Sequence, residues 1–454
     1  MTGNEAVVMG FLAQMTYGHS AAVTLSAYCN ACTERQRFIT TCFVVHGLAS
    51  AQCAGKRKAA MAGSGGQEGL DMARRVEAFV RDVIIPYEQD DRRDDHGPLD
   101  TLVQEMRAKA RDAGVLTPHV RPDGSHLSHR DTAIVLRASG LSPLGPLACN
   151  TNAPDEGNMF LLGKAATDQQ KARFLDPMIA GESRSCFLMT EPAIDGGTGS
   201  DPSMMRTLAE KQGGEWVING RKAFATGFHG AAFAILMAKT IRDDGKDGAT
   251  MFLVPLPHPA LTQERVIGTI DSSMPGGHAV VKVDGLRLTN DAVLGAPHEG
   301  FAYAQVRLAP ARLTHCMRWL GAATRAHEIA TAYAVKRQAF GKPLIDHEGV
   351  GFMLADNLID LKQCELMIDW CAGVLDAGEK AITESSMAKV AVSETLFRIA
   401  DRCGQVMGGT GVSHDTIVEQ VFREIRAFRI YDGPTEVHKW SLAKKLKREA
   451  LAGA

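Results

Sequence analysis

The chain has 454 residues, enough for two or three domains at about 150 residues each. Hydrophobic residues make up 45% and charged residues 22%, which suits a globular chain with a large core and excludes a collagen-like, wholly disordered or small disulfide-scaffold protein. Lys+Arg of 50 against Asp+Glu of 52 leaves a net charge of −2, so no global basic field points to nucleic acid or an anionic membrane, and no apolar run reaches the roughly 18 residues that span a bilayer.

Residues 1–69 read as a weakly structured extension or a misassigned start, with Met61 or Met72 as the natural beginning. The only acids in 1–65 are Glu5 and Glu34, and no Lys or Arg precedes Arg35, so the positive region of a secretory signal is missing. Cys29-Asn-Ala-Cys32 has zinc-knuckle spacing, but no second pair matches it, since Cys42 and Cys53 lie too far apart. Cys149, Cys186, Cys316, Cys364, Cys371 and Cys403 are scattered, several in apolar helical stretches, which predicts reduced, buried thiols and a cytoplasmic setting. The stretch Gly63-Ser-Gly-Gly-Gln-Glu-Gly69 is a linker by composition.

Residues 70–185 read as a helical domain. Asp71 is placed to cap a helix through Val83, with Pro86 beyond its end, and Leu99 to Ala113 forms a second helix closed by Gly114. Thr167 or Asp168 caps a third, which Pro177 stops. The period then changes over 186–300 to that of a β domain. Asn219-Gly220 and Asp284-Gly285 sit between apolar runs as hairpin turns, and Ala232–Ala238 and Met251–Pro255 are strand-length apolar runs. Such strands predict a small barrel or sandwich. Over 301–454 the chain turns helical again, as a bundle. Leu313 to Gln338 is one long helix, closed by Gly341 and Pro343. In the next, Leu354, Leu358, Leu361, Cys364, Ile368, Cys371 and Leu375 make one buried face, ended by Gly378.

The chemistry begins with absences. The chain has no Walker A loop, no Gly-x-Gly-x-x-Gly after a strand, no HExxH, no GxSxG and no EF-hand loop. Three polar clusters stand out. Met189-Thr-Glu-Pro192, followed by Asp195-Gly-Gly-Thr-Gly-Ser-Asp201, is either a phosphate-approaching backbone or a flexible interdomain loop. Arg337-Gln-Ala-Phe-Gly-Lys342 either grips phosphate while its ring packs on a flat heterocycle, or is a helix-end cation. Gln405-Val-Met-Gly-Gly-Thr-Gly411 could open a ligand loop. Downstream, Asp432 between Tyr431 and Gly433 is either a general base or a turn residue.

In order and spacing these clusters resemble the acyl-CoA dehydrogenase family over roughly residues 70–449. The stretch Arg312-Leu-Thr-His-Cys-Met-Arg318 and the ending Asp432-Gly-Pro-Thr-Glu-Val-His438 look like one branch of it. Eukaryotic members of that branch carry an extra kinase-like domain, for which this chain is too short. The resemblance implies a mainly α fold with a central β domain: an N-terminal helical domain, a β-barrel middle domain and a C-terminal four-helix bundle, in a homotetramer or dimer. It implies FAD, with Met189 and Thr190 at the flavin's pyrimidine edge, Ser200 on the pyrophosphate, Phe224 on the ring where the family usually has Trp, and Thr226 near N5. Arg337 and Phe340 would hold the ADP portion from a neighbouring subunit, with Gln405, Gly408 and Gly409. Arg312, Tyr431 and Gly433 would meet the acyl-CoA substrate.

The implied reaction is α,β-dehydrogenation of an acyl-CoA thioester, in which Asp432 takes the α-proton and the β-hydride passes to flavin N5. Electrons then go to an electron-transfer flavoprotein. Two positions depart from the family pattern. The usual base is Glu, and Asp432 pulls the carboxylate back by roughly 1.5 Å, one C–C bond. Ala311, where some relatives place the base, cannot serve, and Pro434 replaces a Thr that touches the cofactor in many members. A flavin oxidase or monooxygenase on the same scaffold is the second enzyme reading. A DNA-associated flavoprotein is the third, prompted by the basic tail of Lys439, Lys444, Lys445, Lys447 and Arg448, but the near-neutral total argues against a nucleic-acid partner.

Overall fold

The computed structural model describes residues 65–453 except Pro122, Gly197, Thr198 and Ser200. Residues 1–64, which hold most of the stretch read as an extension together with Cys29, Cys32, Cys42, Cys53 and Met61, therefore lie outside the described residues, as does Ser200.

Helices come first: α1 (Gln67–Phe79), α2 (Asp100–Asp112), α3 (His129–Ser139) and α4 (Asp155–Ala165). Helix α1 starts inside the stretch read as a linker, capped by Gly66 rather than Asp71. The reason is tertiary: Asp131 of α3 accepts the Gly66 N–H at 2.6 Å, which satisfies one of the orphan donors of the first turn. Helix α2 stops at Gly114 as expected, in the left-handed conformation. Thr167 is the N-cap of the next helical run, in a capping box with Gln170. That run does not stop at Pro177. It continues to Ile179, and the widened π-helical turn Lys171–Leu175 just before Pro177 accommodates the proline.

Eight strands follow: β1 (Ser185–Leu188), β2 (Leu208–Gln212), β3 (Glu215–Thr226), β4 (Phe233–Ile241), β5 (Asp247–Pro255), β6 (Leu261–Ile267), β7 (His278–Leu288) and β8 (Val293–Leu294). They form one sheet in the order β6-β7-β3-β2-β4-β5-β8, with β1 parallel to β4. Strands β2 and β4 meet at a single pair, Leu208 and Lys239, so two half-sheets are joined there. Trp216, Ile218 and Val281 of one half share a core with Leu236, Phe252 and Val254 of the other. The opposite face of β4 and β5, with Phe233, Ile235, Met237 and Met251, packs on Met159 and Leu162 of α4. Burial on both faces is why β4 reads as an unbroken apolar run.

The two hairpin turns expected from the sequence are not turns. Strand β3 runs straight through Asn219-Gly220, and β7 through Asp284-Gly285. The two dipeptides face each other: the register steps from Ile218–Leu286 to Gly220–Val283, so Asp284 and Gly285 oppose Asn219 alone. This is a β-bulge, with Gly285 at φ +60° donating its N–H to Asn219 Oδ1 at 2.7 Å. The real hairpin between β2 and β3 turns at Gly213-Gly214, both at positive φ.

The remaining helices are α5 (Gly300–Lys336), α6 (Glu348–Asp376), α7 (Ile382–Met407), α8 (Val418–Phe428) and α9 (Thr435–Ala452). Helix α5 begins well before Leu313, since Pro310 is accommodated inside it. On α6 the predicted face is buried from Leu354 to Cys371 and half-buried at Leu375, except at Leu358, which is 64% exposed. At about 100° per residue Leu358 falls roughly a quarter-turn off the centre of the stripe, and buried Asn357 sits there instead. Helices α3 and α5 cross with their backbones almost touching: a Cβ at Gly321 would lie 2.1 Å from the Arg137 carbonyl, and one at Gly140 only 2.0 Å from the Arg318 carbonyl. The crossing fixes the height of Arg318 in the molecule. All six cysteines among the described residues are free and buried, as expected, and burial pushes the Cys149 thiol up to about 12. No helix among them is long and apolar enough to cross a membrane.

Candidate active site

One stretch of α5 contradicts its own burial. Arg307, Arg312, Thr314, His315 and Arg318 are all buried, although the helix around them is apolar. Buried charge is costly unless it is paired, so each of these needs a partner. Arg307 donates to Asn158 Oδ1 at 2.7 Å and lies over the Phe187 ring at 4.2 Å. Arg318 donates to the Thr151 carbonyl at 2.9 Å and pairs with Glu156 at 3.6 Å, and Glu156 accepts the Thr314 hydroxyl at 2.6 Å.

The remaining partners come from the loop between α8 and α9. Asp432 sits at φ +54°, a strained conformation for a residue other than glycine, followed by Gly433 at +97°. Three side chains hold its backbone. Arg312 Nε donates to the Asp432 carbonyl at 3.2 Å, His438 Nε2 to the same oxygen at 3.1 Å, and Lys389 Nζ to the Gly433 carbonyl at 2.7 Å. Burial, then the charges of Arg312 and Lys389, push His438 down to about 4, so it donates as a neutral ring. Burial likewise pushes Lys389 down to about 8, against the pull of Asp432.

The Asp432 carboxylate, one fifth exposed, lies 3.2 Å from His315 Nε2. Burial raises its pKa, but His315, through its hydrogen bond and through its charge when the ring is protonated, and then the charges of Arg307 and Arg312 outweigh that and hold the carboxyl well below the usual carboxylate range. It is therefore ionised. Tyr431 packs its ring 4.8 Å from that of His315 and accepts the Trp319 indole N–H at 2.6 Å.

A second constellation lies on the β domain. Thr226, at the end of β3, shares a 2.9 Å hydrogen bond with His278 Nδ1, and His278 Nε2 meets Asp271 at 2.8 Å. Met189 and Thr190 follow β1. Lys222 Nζ donates to the Met189 carbonyl at 3.0 Å, and the Thr190 carbonyl accepts the Ala223 N–H at 2.9 Å. Phe224 stands 56% exposed at φ +53°. Two depressions join the constellations. One is lined by Thr226 and Asp155, the other by His315, Arg318 and Trp319, and both include Asn152, Ala153 and Met274. A groove thus runs from Thr226 to His315.

The structure gathers Arg312, Tyr431, Asp432 and Gly433 at one end, and sets Met189 and Thr190, just past β1, beside the end of β3 that carries Phe224 and Thr226. Arg337 and Phe340 lie apart, on the short hairpin after α5, where Phe340 is 97% exposed. Gln405, Gly408 and Gly409 lie at the C-terminal end of α7, with Gly408 at φ +59°. Sequence reasoning missed His315, Arg318, Glu156, Lys389, His278 and Asp271. For the first two a signal existed: polar residues at 307, 314, 315 and 318 recur at helical spacing on an otherwise apolar helix.

Glu424 of α8 ties this region to the loop that carries Asp271. It is buried and accepts the Ser272 N–H at 2.8 Å. Burial, reinforced by the charge of Asp271, pushes its carboxyl from 4.5 up to about 7. Between those values the folded chain binds more protons than the unfolded one. The contribution to stability is thus complete below the unfolded value and is lost as pH rises through about 7. Glu424→Gln keeps the acceptor but cannot ionise. Calorimetry should find it more stable than the parent at pH 8, by about 1–3 kcal/mol, and little changed at pH 4.5. The same shift at both pH values would contradict this.

The chain is similar to known proteins over nearly all its described length. The family descriptions "Acyl-CoA dehydrogenase, N-terminal domain", "middle domain" and "C-terminal domain" match residues 67–182, 186–274 and 298–447. "Probable acyl-CoA dehydrogenase FadE2" of Mycobacterium tuberculosis is 34% identical over 84% of this chain and 96% of its own length. "Acyl-CoA dehydrogenase family member 11" of Gallus gallus is 32% identical over 84% of this chain, which spans about half (51%) of that relative's length. A solved structure of an acyl-CoA dehydrogenase homologue from Mycobacterium abscessus superposes with a TM-score of 0.78 at 32% identity, over 85% of this chain and 99% of that one. Butyryl-CoA dehydrogenase from Megasphaera elsdenii shares the fold, with a TM-score of 0.73 at 21% identity, over 84% of this chain and 98% of its own.

Proposed function

Because this chain belongs to the acyl-CoA dehydrogenase family, we propose that it is an FAD-dependent oxidoreductase that introduces an α,β double bond into an acyl-CoA thioester, with Asp432 taking the α-proton. The observation that carries this is the Asp432 carboxylate, one fifth exposed and 3.2 Å from His315, a residue that lines the groove. The residues around the groove fit FAD. Phe224 offers an exposed ring two residues before the Thr226 hydroxyl, and Phe340 stands out beside Arg337. Met189, Thr190, Phe224, Thr226, Arg337, Phe340, Gln405, Gly408 and Gly409 would hold it, and Ser200 belongs to the same proposal. When bound, FAD supplies the acceptor for the β-hydride.

The rest is done by the chain's own groups. Asp432 engages His315 through Oδ2, which leaves Oδ1 to accept the α-proton as the C–H bond breaks. Substrate seated in the groove displaces water from the carboxylate and makes it a stronger base. Arg312, Lys389 and His438 keep the loop from withdrawing, and Tyr431 and Gly433 flank the substrate. A 1 Å retreat of the base would cost about 100-fold in rate, so the shorter aspartate depends on this rigidity. Electrons leave to an electron-transfer flavoprotein. Assembly with further copies is supported by Phe352, Ile359 and Leu366, an exposed apolar stripe at heptad spacing on α6.

The test is an anaerobic titration of the flavin-loaded protein with a panel of acyl-CoA esters. At least one ester should bleach the flavin absorbance, and re-aeration should not yield stoichiometric peroxide. No bleaching across the panel would sink the proposal. Bleaching with full peroxide yield would favour the oxidase reading.

A further inference from the structure

We infer that His315 is a positioning residue for Asp432: a neutral imidazole that holds one carboxylate oxygen, and so aims the other at the substrate. The inference rests on the proposed role of Asp432 as base. It begins with the ring's two nitrogens. Arg318 Nη2 lies 3.2 Å from His315 Nδ1. An arginine can only donate, so Nδ1 is the acceptor and the proton of a neutral ring sits on Nε2. Nε2 faces Asp432 Oδ2 at 3.2 Å. Burial, then the charge of Arg318, holds the ring's pKa below its usual value, so the imidazole stays neutral beside an ionised Asp432.

The ring has no freedom to leave. It packs against Tyr431, 4.8 Å away, and Phe428, 5.7 Å away, and those two rings are themselves in contact at 5.4 Å. Arg318 is anchored in turn by the Thr151 carbonyl and by Glu156. The result is a buried line from Glu156 on α4 through Arg318 and His315 on α5 to Asp432 on the loop. The other charged groups around the pair are Arg307 and Arg312 on α5 and Lys389 on α7, with neutral His438 on α9. Each of these is engaged elsewhere and does not replace the donor at Oδ2: Arg307 donates to Asn158, and Arg312, Lys389 and His438 donate to backbone carbonyls. His315 therefore supplies the orientation that the missing methylene of a glutamate would otherwise demand from the backbone.

Two substitutions separate this from a packing role. His315→Phe keeps ring volume and removes the donor. His315→Gln places an amide N–H near the Nε2 position. The readouts are the pH profile of acyl-CoA-dependent flavin reduction, its split into kcat and KM, and flavin content. In His315→Phe, kcat should fall about 100-fold with KM and flavin content little changed. Its acid limb should move up by about one pH unit or more, because the carboxylate has lost a hydrogen bond that favoured ionisation. His315→Gln should recover most of both effects. His315→Asn, which is too short to reach Asp432, serves if the Phe variant does not fold, and should reproduce its losses. A folded, flavin-replete Phe or Asn variant with the parent's kcat and acid limb would overturn the inference. Asp432→Asn is run beside them. If it stays active, the base assignment itself fails. If it is inactive while the His315 variants are normal, only the positioning role fails.

Discussion

Asp432→Asn should retain FAD and lose acyl-CoA-dependent flavin reduction by a factor of about 10³ or more, the upper range for a general base. The substitution is nearly isosteric, so the loop should survive it. That loop is held through the Asp432 and Gly433 carbonyls by Arg312, His438 and Lys389, none of which needs the carboxylate. The proton acceptor is what disappears, since an amide cannot take a proton from carbon at neutral pH. Neighbouring groups cannot stand in. Ala311 has no acid, Glu156 is committed to Arg318 and Thr314, and His315 is already protonated on the nitrogen that faces the site. Rapid-mixing measurements of flavin absorbance under anaerobic conditions read the loss directly. An undiminished rate in a flavin-replete variant would remove Asp432 from the role.

The largest effect on stability is expected at Lys222. Its side chain is fully buried and pairs with buried Glu191 at 3.0 Å. Burial pushes the ammonium down to about 8 even though Glu191 opposes the shift. Such a pair is weak evidence for net stability, but breaking one half is another matter, because the remaining charge stays in the core. Lys222→Met should therefore cost about 3–5 kcal/mol, read as the urea midpoint with an unchanged slope. It also frees the Met189 carbonyl, which Lys222 holds at 3.0 Å, so flavin retention on gel filtration should fall with stability. A double replacement with Glu191→Leu should recover part of the stability only. Glu191 also accepts the backbone N–H groups of Arg206 and Thr207 at 2.8 Å each, and those would be left unpaired. A loss below about 1 kcal/mol in the single variant would show that the site admits water.

Much of the architecture could be read from the chain because it rests on local chemistry. The α6 stripe from Leu354 to Cys371, the Gly114 stop and the Thr167 cap are each decided within one or two helical turns. The misreadings came where a distant residue decided the outcome. Gly66 starts α1 because Asp131, in another helix, accepts its N–H. Asn219-Gly220 and Asp284-Gly285 satisfy the rules for hairpin turns, yet pairing between β3 and β7 turns them into the two sides of one bulge. The helix expected from Leu313 starts instead at Gly300, with Pro310 inside it.

The site divides in the same way. Asp432 and its glycine could be found in sequence because the strained turn leaves a local signature. The groups that act on it are Arg312 and His315, far back along the chain on α5, and Lys389 on another helix, and only the tertiary fold joins them. His278 and Asp271 escaped notice because each is an ordinary polar residue until β7 brings His278 beside Thr226 and the preceding loop brings Asp271 to His278.

The central claim is that Asp432 removes the α-proton, and hydrogen exchange at that carbon tests it most directly. The flavin-loaded protein is placed in D2O with an acyl-CoA that has no hydrogen on its β-carbon, so that no hydride can leave and only the proton step remains. The parent should exchange the α-hydrogens, as followed by mass spectrometry of the thioester, and Asp432→Asn should exchange them no faster than buffer. Exchange by the variant at the parent's rate would contradict the assignment, whatever the flavin does.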